Sequence, residues 1–172
     1  LKPAMALEEK PLCIVLIGIP YSGKSTFVSE HAWLRQLPKI SFDDEVMTLT
    51  GGDYSKWAEV AQQAGLNIDE KQNALIKAKR SFLIDKTNVS TLEREKLIAE
   101  LHSHSYQTVA IVFEPPEAKE LKRRIQKRTD KIIPPEVIAQ MRRNFESGKA
   151  DLFRQFDSVL FVFQNKTITV KK

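Results

Sequence analysis

A chain of 172 residues, 42% hydrophobic and 28% charged, has the length and balance of one globular domain with a sizeable core; residues 1–11 read as a tail and 12–172 as the domain. Lys and Arg number 27 against 22 Asp and Glu, a net +5 that permits a nucleic-acid or phosphorylated partner without requiring one. No apolar stretch is long enough to span a bilayer, residues 1–10 lack signal-peptide organisation, and the single cysteine, Cys13, rules out an internal disulfide, which together point to a reducing, cytoplasmic setting.

Residues 12–17 (LCIVLI) form a continuous β-branched run that stops at Gly18, the pattern of a strand buried on both faces. Residues 24–36 read as a helix closed by Pro38, and 39–42 as a short second strand followed at once by Asp43, Asp44 and Glu45. Two helices are expected at 54–64 and 69–79, split at Gly65, then a third strand at 80–84 ending at Asp85. Ser90 with Glu93 three residues on is a capping box opening a helix over 91–102. Residues 108–113 (TVAIVF) are a fourth strand, 117–128 a basic helix, 136–145 another helix, and 158–163 (SVLFVF) a fifth strand before a polar, basic tail. Strands alternating with helices predict an α/β domain with a mainly parallel five-stranded sheet. In such sheets ligands bind beyond the carboxyl ends of the strands, so Gly18 to Thr26, Asp43, Asp44, Asp85 to Asn88 and Glu114 should gather at one edge.

The sharpest signal is Gly18-Ile19-Pro20-Tyr21-Ser22-Gly23-Lys24-Ser25-Thr26, which fits G-x-x-x-x-G-K-S between a strand and a helix. Glycines let backbone N–H groups turn inward towards phosphate oxygens, and the following helix adds its unpaired amides and positive dipole end. Lys24 supplies a cation for the β- and γ-phosphates and the Ser25 hydroxyl a ligand for Mg²⁺, so ATP with Mg²⁺ is the expected ligand. Gly18, Ser22, Gly23 and Thr26 complete the nucleotide-binding loop.

Asp43 is the candidate to orient an acceptor hydroxyl and take its proton. Asp44 and Glu45 fit the simpler role of acids in a first helical turn. Asp85 can hold a metal-bound water or orient the acceptor, whereas Thr87 and Asn88 suit local side-chain to backbone bonds. Arg124 and Arg128, four apart within a run of six cations, are candidates to stabilise charge on a transferring phosphoryl group, and residues 129–135 suit the hinge of a mobile lid. His102 and His104 lack companions for a metal site.

The combination of a GxPxSGKST loop, Asp43-Asp44 after the second strand, Asp85-Lys86-Thr87-Asn88 after the third, and a basic lid with Arg124 and Arg128 resembles the kinase domain of polynucleotide 5′-hydroxyl kinases. The resemblance implies a P-loop NTPase fold of the adenylate-kinase-like type, a three-layer sandwich with a helical lid. It implies Asp43 as general base, Asp85 as the acid of the D-x-T-N element, and Arg128, then Arg124, as the lid arginine on the ATP phosphates. It also implies a 5′-hydroxyl end of RNA or DNA as acceptor, within a larger nucleic-acid repair or processing protein. One position departs: an arginine usual three residues after the base is Val46, so another cation must hold the acceptor's phosphate or the acceptor must differ. A small-metabolite or nucleotide kinase, and a non-catalytic nucleotide-binding module of an RNA-processing protein, are the competing expectations.

Overall fold

The computed structural model describes residues 9–165 and 168–171; most of the expected tail lies outside the described residues. Strands β1 (Leu12–Ile17), β2 (Lys39–Ile40), β3 (Phe82–Asp85), β4 (Gln107–Phe113), β5 (Ser158–Val162) and β6 (Ile168–Lys171) form one sheet in the order β2-β3-β1-β4-β5-β6. The first five are mutually parallel, as the alternating pattern predicts. The sixth, in the polar tail, adds antiparallel to β5. Its exposed Ile168 and Val170 carry too weak an alternation to mark a strand by sequence.

Consecutive residues of β1 point to opposite faces, so its apolar run fills two cores at once. Cys13, Val15 and Ile17 enter the larger core, with Ile68, Leu75 and Ile76 of α4 (Trp57–Lys77), Ile98 and Leu101 of α5 (Thr91–Ser103), and Phe145 of α7 (Pro135–Gly148). Ile14 and Leu16 enter the other, with Phe27 of α1 (Lys24–Glu30) and Leu34 of α2 (Ala32–Arg35). The result is helices on both sides of the sheet. Cys13 is fully buried and burial pushes its thiol far above the ordinary range, so it acts as a small core hydrophobe. No helix among the described residues is long and apolar enough to cross a membrane.

Several elements differ from expectation: the second strand, expected over 39–42, stops at Ile40, and Phe42 opens a helix. The helix over 24–36 is broken at His31, whose extended backbone caps α1 while its ring nitrogen bonds the Phe27 carbonyl at 2.7 Å. The two helices expected around Gly65 are one: a 3₁₀ turn (Tyr54–Lys56) leads into α4, and buried Ala64 and Ile68 carry the apolar stripe across the glycine. The cost of one helical glycine, about 1 kcal/mol, is outweighed by this packing. The chain also makes a short α8 (Leu152–Gln155) ahead of β5.

Candidate functional site

The phosphate loop, the start of α3 (Phe42–Thr50), Asp85 and the basic segment around Arg124 converge beyond the carboxyl ends of the parallel strands. A cleft of about 580 Å³ is lined by Ser22, Gly23, Lys24, Ser25, Thr26, Asp43, Asp44, Asp85, Arg124, Arg128, Lys39 and Lys131, among others. Three residues expected at this edge do not line the cleft: Asn88 is turned to the Leu16 carbonyl, Glu114 pairs with Lys149, and Gly18 lies behind the wall. A Cβ there would come within 2.6 Å of Ser22 Oγ and 3.1 Å of the Phe113 side chain, so a glycine is needed for β1 to turn into the loop against β4.

The loop is fastened from beneath. Thr87 O accepts from Gly18 N at 3.0 Å, and Asn88 Nδ2 donates to Leu16 O at 2.7 Å from a left-handed backbone (φ 51°). Asn88 O in turn accepts from Arg94 Nη1 at 2.9 Å. Arg94, only 2% exposed, also donates to Gln155 Oε1, Thr91 Oγ1 and Gly148 O. Thr87 and Asn88 thus serve the backbone, and Arg94, which sequence reading missed, is the anchor behind them. An arginine in the first turn of an amphipathic helix carries no signal of burial by itself.

The loop surface suits an anion. Gly23 takes φ +98°, and the first-turn amides of α1 have no carbonyl one turn back and no side-chain cap. Ser22 Oγ is buried with no hydrogen-bond partner among the described residues. Lys24 Nζ donates to the Gly18 and Ile19 carbonyls at 2.7 and 2.9 Å. Burial lowers the Lys24 ammonium to about 8, with Asp85 the main opposing influence. Burial likewise raises the Asp85 carboxyl, opposed by Lys24 and Lys39. An orphaned hydroxyl, open amides and a destabilised cation together fit a phosphate chain, whose charge would restore what burial takes away.

Asp43 sits in the first turn of α3 (Phe42–Thr50), where Ser41 caps by accepting from Asp44 N at 3.3 Å. Its two oxygens have separate partners: Tyr54 donates its hydroxyl to Oδ1 at 2.8 Å, and Lys131 Nζ donates to Oδ2 at 2.6 Å. Burial and then Asp43 raise the Tyr54 phenol, keeping it a donor. Neither partner was singled out from sequence; both are distant in the chain from Asp43 and meet it only through the fold. Val46 is fully buried, so that position faces core rather than cleft. Asp44 pairs with Lys39 at 2.6 Å.

The basic segment expected to form the lid is α6 (Ala118–Lys127) and residues 128–134, which lead into α7. Arg124 and Arg128 do not share a helix face as expected: α6 ends at Lys127 and Arg128 is extended (φ −96°, ψ 116°), with its guanidinium on Asp130 at 2.9 Å. Arg124 is held by Glu120 and donates to Tyr21 O at 2.8 Å. Tyr21, left-handed at φ 67°, also lies under Arg128 (5.8 Å to the ring centroid) and donates its hydroxyl to Lys131 O at 3.3 Å. A bulky residue in the phosphate loop is thereby explained: Tyr21 ties the loop to the lid. Gln164, just beyond β5, bridges Ser22 O and Glu114 O.

This fold, with a phosphate loop after the central strand and a lid over it, is that of the P-loop kinases, whose fold binds nucleotides such as ATP. Residues 13–147 match the AAA domain family, and the chain belongs to it. Among solved structures, the chain is similar to AvrRxo1-ORF1:-ORF2 with ATP, at 14% identity and a TM-score of 0.74, covering 94% of this chain and 57% of that one. It is similar to the PezAT chromosomal toxin–antitoxin system of Streptococcus pneumoniae, at 17% identity and a TM-score of 0.68, covering 94% and 70%. It is also similar to the Pnkp1/Rnl/Hen1 RNA repair complex, at 26% identity and a TM-score of 0.62, covering 82% of this chain and 46% of that one. The chain therefore spans about half the length of two of these three relatives.

Proposed function

We propose that this domain is an ATP-dependent phosphotransferase acting on a hydroxyl, and that the acceptor is the 5′-hydroxyl end of RNA or DNA. The observation that carries the reading is that Asp43 and the phosphate loop with Lys24 line one cleft, together with Lys39, Lys131, Arg124 and Arg128. A carboxylate facing a triphosphate site across a cation-rich cleft suits in-line transfer. The acceptor proton passes to an Asp43 oxygen as the new O–P bond forms. The bond from the γ-phosphorus to the β-bridging oxygen breaks, releasing ADP. Lys24, Arg128 and Arg124 balance charge on the phosphoryl oxygens. Ser25 would hold Mg²⁺, which would neutralise phosphate charge, and Asp85 would orient its water. Among the described residues no cluster of three acidic, His or Cys side chains could cage a metal, which suits an ion held largely by phosphates and water. The similarity to the RNA repair complex, at 26% identity, supports a polynucleotide acceptor.

Buried Val46 favours a second reading, a small-metabolite acceptor without a phosphate, because no arginine rises from that position. The two separate in one assay. ATP labelled at the γ-phosphate is incubated with 5′-hydroxyl RNA and DNA oligonucleotides and with a panel of small alcohols. Label on the oligonucleotides, reduced about 10²- to 10⁴-fold in Asp43→Asn while ATP still binds, is the expected result. Transfer to small alcohols alone would establish the second reading.

A further inference from the structure

Among the cations that line the cleft, which also include Lys24 and Lys86, one stands directly on the candidate base. Lys39 is committed to Asp44, Arg124 to Glu120 and Tyr21 O, and Arg128 to Asp130. Lys131 is on Asp43 itself, with its ammonium 4.7 Å from the centroid of the Tyr54 ring. It is also the most enclosed of the four, with a side chain 17% exposed against 29% for Arg124, 37% for Lys39 and 46% for Arg128. It comes from the lid, yet its carbonyl is held by Tyr21 of the phosphate loop.

Resting on the phosphotransferase reading above, we propose that Lys131 is the acceptor-side anion receptor: the lid carries its ammonium to the start of α3, where it binds a phosphate borne by the acceptor beside the hydroxyl that Asp43 orients. A carboxylate has about four lone-pair sites, and Asp43 uses one on each oxygen, so an acceptor hydroxyl can be received without displacing Tyr54. The Lys131 pair is with a half-exposed carboxylate, an interaction that is readily exchanged. A phosphate brings more charge and three acceptor oxygens, and Lys131 can turn to it while staying near Asp43. A cation thus reaches the acceptor side of the cleft from a residue 88 positions along the chain from Asp43.

The test uses two acceptors with the same 5′-hydroxyl, a nucleoside 3′-phosphate and the unphosphorylated nucleoside. The wild-type protein is expected to favour the phosphate-bearing acceptor in KM. Lys131→Ala is expected to reduce the preference for the phosphate-bearing acceptor over the bare nucleoside by about tenfold or more, the loss of one charge-assisted hydrogen bond, beyond any loss common to both acceptors that comes through Asp43. Lys131→Arg should restore part of the discrimination, and Lys39→Ala should keep it. Equal losses on both acceptors, or discrimination lost in Lys39→Ala instead, would overturn the assignment. Calorimetric titration of the nucleoside 3′-phosphate in the presence of ADP separates the two levels. Binding that depends on Lys131 without any transfer supports the receptor and refutes the phosphotransferase reading. No binding to the wild-type protein refutes the receptor itself.

Discussion

Replacing Arg94 tests how the phosphate loop is held. Its guanidinium is buried with no carboxylate among the described residues at hydrogen-bond distance; it is solvated instead by Asn88 O and Gln155 Oε1 at 2.9 Å, Gly148 O at 3.0 Å and Thr91 Oγ1 at 3.2 Å. Burial lowers its pKa, so burying the charge is itself unfavourable and part of the bonding offsets that cost. Arg94→Met keeps much of the volume and none of the donors. It leaves two backbone carbonyls and an amide oxygen without their donor, each costing about 1–3 kcal/mol, while the charge-burial cost disappears. The net expectation is a loss of about 3 kcal/mol, or roughly 10 °C in thermal midpoint for a domain of this size. Urea and thermal unfolding followed by circular dichroism measure it, with exposed Arg123→Ala as a control whose midpoint should not move. Because Asn88 O loses its donor and Asn88 holds Leu16 O, the folded variant should also bind ATP more weakly. A midpoint for Arg94→Met equal to wild type would refute the view that these bonds carry the element after β3.

Lys24 sets a pH dependence. Its folded pKa of about 8 lies below the ordinary 10.5, so between these values the unfolded chain holds a proton that the native one lacks. This group therefore makes nucleotide-free stability rise with pH across that window, and ATP binding, which favours the ammonium, should take up a proton and weaken as pH rises above about 8. Calorimetry at about pH 8.5 in buffers of different ionisation enthalpy reads the proton uptake; Lys24→Arg should abolish it. Gly148→Ala places a Cβ 2.6 Å from Thr91 Oγ1 and 2.9 Å from the pinned Arg94 Nη2, and should cost about 1–3 kcal/mol in urea unfolding. Ser22→Ala removes a buried hydroxyl without a partner among the described residues, so nucleotide-free stability should hold or rise by about 1 kcal/mol while ATP affinity falls; a midpoint lowered by several degrees would contradict this.

Much of the fold was legible in the chain because its signals are local. A β-branched run ending at Gly18 and followed by Ser22-Gly23-Lys24-Ser25 encodes strand, turn and helix within fifteen residues, and the rule that ligands bind beyond strand ends then brings Asp43 and Asp85 to the same edge. The strand β6 was not legible, since an edge strand whose residues 168–170 are all exposed needs little hydrophobicity once β5 offers its backbone. Gly65 read as a break because propensity is local, whereas the stripe of Ala64, Ile68, Leu75 and Ile76 that overrides it is satisfied only by packing in the folded protein.

By itself the sequence determined that a phosphate loop follows a central buried strand and that acids follow the next two. The tertiary structure alone decided their partners. Lys131 reaches Asp43 across 88 residues of chain, Arg124 reaches Tyr21 across 103, and Arg94 holds Gly148 across 54. Such bonds depend on where helices pack, not on residue spacing, and a lysine in a basic run looks the same whether it faces water or a carboxylate. That is why the phosphate-loop side of the cleft could be read from the chain, and why the contact of Lys131 with Asp43 emerged only from the folded structure.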